Sequence, residues 1–130
     1  MSRPIEYVTV TNVTRTTSLG DRIQVAERGL DGVIGLLGRR SLDTGQGMLI
    51  VPTQAVHTIG MAFPIDLVFI DKHNKVVGTR ENIPPYRFSK FYWKALGVIE
   101  LPVGTIRDSE TQIGDQLRVQ DTELNLPITD

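Results

Sequence analysis

Ile65-Asp66-Leu67-Val68-Phe69-Ile70-Asp71-Lys72-His73-Asn74-Lys75-Val76-Val77 is the stretch whose reading decides the fold. Two short runs rich in β-branched and aromatic residues flank a polar turn. That pattern predicts a β-hairpin over Ile65–Asp71 and Lys75–Glu81, with a loop of about three to five residues. Pro84-Pro85 ends the second strand or leads it into a turn, because proline cannot donate to a sheet ladder. Upstream, Met48–Val51 reads as a buried strand stopped by Pro52. Between them Thr53–Pro64 shows neither helical nor strand periodicity and holds His57.

Outward from this centre the chain still reads as strand. Ile5–Thr11 alternates Val8 and Val10 with Tyr7, Thr9 and Thr11, so one face is expected to be buried. Asn12–Gly20 suggests a short strand and a turn, and Ile23–Ala26 a further strand. Ala95–Leu101 and Gln116–Val119 are expected strands as well. Leu30, Val33, Ile34 and Leu37 fall at helical spacing, which makes Glu27–Arg40 the best helix candidate. Its glycines weaken it by about 1 kcal/mol each relative to alanine. Thr105 is a candidate cap for a short helix over Ile106–Gln112 that ends at Gly114. Seven or eight strands, mostly in hairpins, with one or two short helices predict a mainly β fold. The expected architecture is an antiparallel β-sandwich or a distorted barrel with a helix over one opening.

A chain of 130 residues fits one domain, placed here at residues 1–119. The acidic, proline-bearing tail 120–130 is a candidate for disorder. There is no cysteine, which removes disulfides, thiolate zinc sites and cysteine nucleophiles. The formal net charge of −1 argues against a nucleic-acid partner held by bulk charge. Met1–Val10 lacks the basic and apolar pattern of a leader, and no apolar run approaches the ~20 residues of a membrane span. A soluble, by default cytoplasmic, protein is therefore expected. The charge is uneven. Lys72–Lys94 holds six basic residues and one acid, and Asp108–Asp130 six acids and one base. Solvated faces explain such clusters without a ligand; an anion-binding patch is the sharper alternative.

Few residues offer chemistry. His73 falls in the hairpin turn and is expected to be solvated. His57 lies nine residues before Asp66, which places a titratable imidazole near a carboxylate able to orient it. As a structural pair, the histidine would bond to backbone and Asp66 would cap a turn. No metal site is expected from two histidines without cysteine, and no cofactor is indicated. Tyr86-Arg87-Phe88-Ser89-Lys90-Phe91-Tyr92-Trp93 holds five of the eight aromatic residues. Aromatics among cations can stack bases or sugars while pairing phosphates. The expected arrangement is instead a strand or loop that turns Phe88, Phe91 and Trp93 into the core.

Several strings carry a resemblance. They are Gly35-Leu36-Leu37-Gly38-Arg39-Arg40-Ser41-Leu42, Gly47-Met48-Leu49-Ile50, and His57-Thr58-Ile59-Gly60-Met61-Ala62-Phe63-Pro64-Ile65-Asp66 running on to Asp71. Val98-Ile99-Glu100-Leu101-Pro102-Val103-Gly104-Thr105 and Ile113-Gly114-Asp115-Gln116-Leu117 add to them. Together these resemble domain-of-unknown-function family number 192 over about Thr14–Val119. The resemblance implies a small, mainly β domain with no assigned activity. It carries over Gly35, Arg39, His57, Thr58, Met61, Pro64, Ile65, Asp66, Glu100, Gly114 and Asp115 as a signature. Members often have a leader, which this chain is not expected to have. They also often have basic residues where this chain has Ile34 and Ala62.

The resulting expectation is a binding or accessory module, recognising a small ligand or a protein through the His57–Asp66 loop. Arg39, His57, Thr58, Met61, Asp66 and Arg87 are its candidate binding residues. The alternative is a small hydrolase with His57 as base and Asp66 as its orienter. A homo-oligomer built through a sheet edge or the helix face is a third reading.

Overall fold

The structure is a computed structural model that describes residues 6–27, 41–59 and 61–122. Seven strands and one short helix follow in chain order: β1 (Glu6–Asn12), β2 (Thr17–Glu27), β3 (Gln46–Val51), β4 (Ile65–Ile70), β5 (Val76–Ile83), β6 (Gly97–Leu101), α1 (Thr105–Ser109) and β7 (Leu117–Asp121). They form a single sheet in the order β5-β4-β6-β3-β2-β1-β7. The fold is mainly β, a curled sheet of half-barrel shape. Its two edges meet at one point, where Lys75 and Gln116 form a bridge. There the Val76 amide donates to the Asp115 carbonyl at 2.9 Å and the Leu117 amide to Asn74 at 2.9 Å.

The central hairpin forms as its sequence predicts. Ile70 pairs with Val76, and Asp71 holds the turn by accepting from the His73 and Lys75 amides at 2.8 and 3.0 Å. All six residues of β4 are buried, so the sheet is covered on both faces here. Val68 and Ile70 join Val8, Val10, Ile23 and Leu117 in the concave core. Ile65, Leu67 and Phe69 face outward into a second core with Met48, Ile50, Met61 and Val98. The irregular segments on either side of β4 and β5 supply that outer layer through Val56, Met61, Phe63 and Tyr92.

Four details differ from the sequence reading. The strands expected within Asn12–Gly20 and at Ile23–Ala26 are one eleven-residue strand, β2. Register shifts against β1 give β2 two bulges, which bend it enough to look like two pieces from its sequence. β2 and β3 pair in parallel, so the sheet is mixed. The helix cap is Gly104, in the left-handed conformation at φ 98°, rather than Thr105, and the helix stops at Ser109. Ala95 and Leu96 precede β6 instead of belonging to it. The helix candidate 27–40 lies outside the described residues except for Glu27, which ends β2. Of the tail 120–130, Gln120 and Asp121 belong to β7, and residues 123–130 also lie outside the description.

Candidate functional site

Asp66 has no exposure at all. Alternation along β4 points it into the concave side, toward the end closed by α1. One carboxylate oxygen, Oδ2, accepts from the Gly104 and Ile106 amides at 3.1 and 3.0 Å, and Oδ1 accepts from Asn82 at 2.9 Å. The carboxylate therefore satisfies the amides that open α1, a task usually given to the N-cap side chain, which glycine lacks. The Asn82 contact pins the bulge in β5, where Asn82 itself sits at φ 52°. Asp66 is a capping residue held entirely by backbone.

His57 lies elsewhere, in the outer layer. It is exposed, its Nδ1 accepts from the Ile59 amide at 3.3 Å, and no hydrogen bond joins it to Asp66. The geometry thus does not set Asp66 as an orienter of His57. Thr58, only 1% exposed, is the anchor of the segment. Its hydroxyl donates to the Pro84 carbonyl at 2.8 Å and accepts from the Arg87 amide at 2.8 Å. Met61 is buried in the outer core, its amide donating to the Thr58 carbonyl at 3.1 Å. Arg87 is exposed. His57, Thr58 and Arg87 are brought together, Asp66 is separated from them, and Arg39 lies outside the described residues.

What brings them together is a second, irregular ribbon. The Thr58 amide donates to Arg87 at 2.8 Å, Ser89 to Val56 at 2.8 Å, Tyr92 to Gln54 at 2.9 Å and Thr53 to Leu96 at 2.8 Å. Residues 53–58 and 86–96 are therefore zipped side by side over the outer face of the sheet. His57 pairs with Phe88 as a bridge, their ring centroids 6.1 Å apart. One aromatic ring of the ribbon turns down. Tyr92 stacks on Phe69 with centroids 4.1 Å apart and planes at 23°. It lies over Gly78, the register partner of Phe69, where a Cβ would collide with the ring. The glycine leaves the hole that the tyrosine fills.

The other rings turn up, which corrects the expectation that they enter the core. Tyr86 is 68% exposed, Phe88 72%, Phe91 63% and Trp93 71%. The outer layer beneath them is supplied by Tyr92 with Val56, Phe63 and Val77. The signal missed was Gly78: opposite Phe69 it leaves room for one ring only. Among these rings stand cations. Lys94 Nζ lies 5.1 Å from the Trp93 ring centroid and Lys90 Nζ 5.3 Å from that of Tyr92. A groove of about 450 Å³ runs beside them, lined by Val77, Arg80, Lys90, Phe91, Trp93 and Lys94 among others. Among the described residues no carboxylate lies within ion-pair distance of Arg80, Arg87, Lys90 or Lys94.

Three carboxyls elsewhere, Asp71, Glu100 and Asp115, have shifted affinities for protons. Glu100 pairs with Met48 and Leu67 on the outer apolar face and is 7% exposed. Burial pushes its carboxyl up to about 7. Asp115 also loses hydration, which works to raise it. Hydrogen bonds from Asn12, Arg15 and the Gln112 amide, with the Arg15 charge, outweigh that and leave it below the ordinary range. Among the described residues no three His, Asp or Glu side chains gather as metal ligands. No helix among them is long and apolar enough to cross a membrane.

The fold and this surface define a class: a small, curled β-sheet domain that carries an exposed aromatic and basic ledge on its outer layer. Residues 10–119 match the model of domain-of-unknown-function family 192, described as "Uncharacterized ACR, COG1430", and the chain belongs to that family. A structure of a protein of unknown function from Novosphingobium aromaticivorans DSM 12444 is similar, at 22% identity and a TM-score of 0.74, covering 88% of this chain and 84% of that one. A second, from Sinorhizobium meliloti 1021 and titled "a putative transcription regulator", is 25% identical with a TM-score of 0.73, covering 92% and 96%. No curated protein matches the chain.

Proposed function

We propose that this chain is a binding module whose recognition surface is the ledge formed by Tyr86–Lys94 with His57 at its margin. This retains His57 and Arg87 from the sequence reading and moves the centre of recognition from the 57–66 loop to the ribbon beside it. One observation carries the proposal. Four large aromatic side chains on a single segment are each more than 60% exposed, and the cations between them have no ion-pair partner among the described residues. An exposed apolar patch of this kind costs solubility and marks interaction surfaces. Aromatic and arginine side chains are also the residue types that supply most binding energy at interfaces.

Backbone geometry supports the same reading. Tyr86 is held at φ 64°, a left-handed conformation that bulky residues rarely adopt. Its amide is tied to the Thr58 carbonyl at 3.1 Å, so the ribbon enforces the conformation that presents the ring. Strain of this type, of order 1–3 kcal/mol, is concentrated at functional sites. The partner that fits is anionic and carries flat or apolar groups.

A thermal-shift panel tests this with four probes: an oligonucleotide, polyphosphate, a Glu/Phe-rich peptide and vesicles containing phosphatidylserine. At least one is expected to raise the melting temperature, and the double variant F91S/W93S is expected to abolish the shift while melting normally alone. No shift with any probe, or a shift that survives in the double variant, contradicts the proposal.

A further inference from the structure

We infer that the groove beside Trp93 binds single-stranded nucleic acid, with bases stacked on Phe91 and Trp93 and phosphates paired with Arg80, Lys90 and Lys94. The inference rests on the ledge being a recognition surface and names the occupant. It also revises the expectation drawn from the net charge. A net charge of −1 describes the whole chain, but charges separated by more than about 8–10 Å are screened from one another at physiological salt. A strand in the groove meets the local field instead, and the described residues that line the groove include three exposed cations and no carboxylate.

The arrangement of the groove matches the repeat of a nucleotide. Each nucleotide offers one flat ring and one negative charge. The groove offers rings with a lysine next to them: Lys94 beside Trp93, and Lys90 beside the Tyr92 ring and one residue from Phe91. A lysine over one face of Trp93 leaves the indole a second face on which a base can stack. Such stacking is tolerant of sequence, since every base has a π face. Val77 and Ile113 add apolar wall to the same groove. An acidic peptide without aromatic residues answers the cations and leaves the flat rings in water. Paired bases in a duplex have no free face to give.

Trp93 makes the test direct, because it is the only tryptophan in the chain and 71% exposed. Short oligothymidylate and oligouridylate are titrated into the full chain while tryptophan fluorescence is read. The expected result is saturable quenching with a logarithmic salt slope of about −2, as three phosphate contacts on a single strand require. K94Q is expected to reduce that slope by about 0.7, and F91A to weaken binding about tenfold. Both side chains are exposed, so both variants are expected to melt like the parent. Two results overturn the inference. If polyphosphate or a Glu/Phe-rich peptide protects the fold while oligonucleotides leave Trp93 unquenched, the ledge binds another class of partner. If no probe binds, the broader reading of the ledge fails as well.

Discussion

Asp66 and Glu100 are buried carboxyls on adjacent strands, and they face opposite sides of the sheet. Asp66 is met by three backbone amides, and its removal leaves those donors buried without acceptors. Asp66→Ala is therefore expected to cost about 3 kcal/mol of stability in urea unfolding. Unchanged stability contradicts the capping role. Glu100 has only apolar cross-strand partners, and its carboxyl is raised from 4.5 to about 7. A carboxyl whose folded pKa exceeds its unfolded value holds its proton more tightly in the folded chain. Its contribution is complete below about pH 4.5 and is lost as pH rises through about 7. The loss amounts to roughly 3 kcal/mol between pH 4.5 and 8. Glu100→Gln is expected to flatten that slope and to be the more stable protein at pH 8. Equal pH dependence in the two proteins contradicts it. The sequence showed both acids in apolar runs. It did not show which one found partners, because that depends on α1 starting at Gly104 beneath Asp66.

At the scale of the element, the ribbon of residues 53–58 and 86–96 explains why the conspicuous His-Thr string matters. Thr58 ties one half of the ribbon to the other, and His57 rides on the pairing that results. Gly78 is the test of how the ribbon is seated. A methyl group at this position enters the space of the Tyr92 ring. Gly78→Ala is expected to lift the ring off Phe69 and cost about 1–3 kcal/mol, read by chemical denaturation. Tyr92→Ala in the same background is expected to remove most of the additional penalty, whereas full additivity of the two substitutions contradicts the proposed contact. The hairpin was legible because alternation and an Asp-led turn are local signals. The orientation of Tyr86–Trp93 was not. Both faces of β4 are buried, so an outer layer was required, but alternation does not say which rings supply it. The parallel pairing of β2 and β3 was equally hidden, since it depends on the connection through 28–45, of which apolar spacing says only that Glu27–Arg40 is a helix candidate.

For the molecule as a whole, the curl of the sheet separates two tasks. The concave side is closed by α1 and carries the core. The outer side is finished by the ribbon, and its surplus rings and cations remain available. The mainly β class and single-domain size were readable from strand count and length. The basic cluster within Lys72–Lys94 was readable too, but its joining with exposed rings was not, because alternation predicts Phe88, Phe91 and Trp93 facing inward. The central claim is that this ledge is exposed and positive in solution, and differential quenching of Trp93 by iodide and caesium tests it most directly. Iodide is expected to quench strongly and caesium weakly, with the difference collapsing in K90Q/K94Q. Blue-shifted emission resistant to both ions would contradict the account.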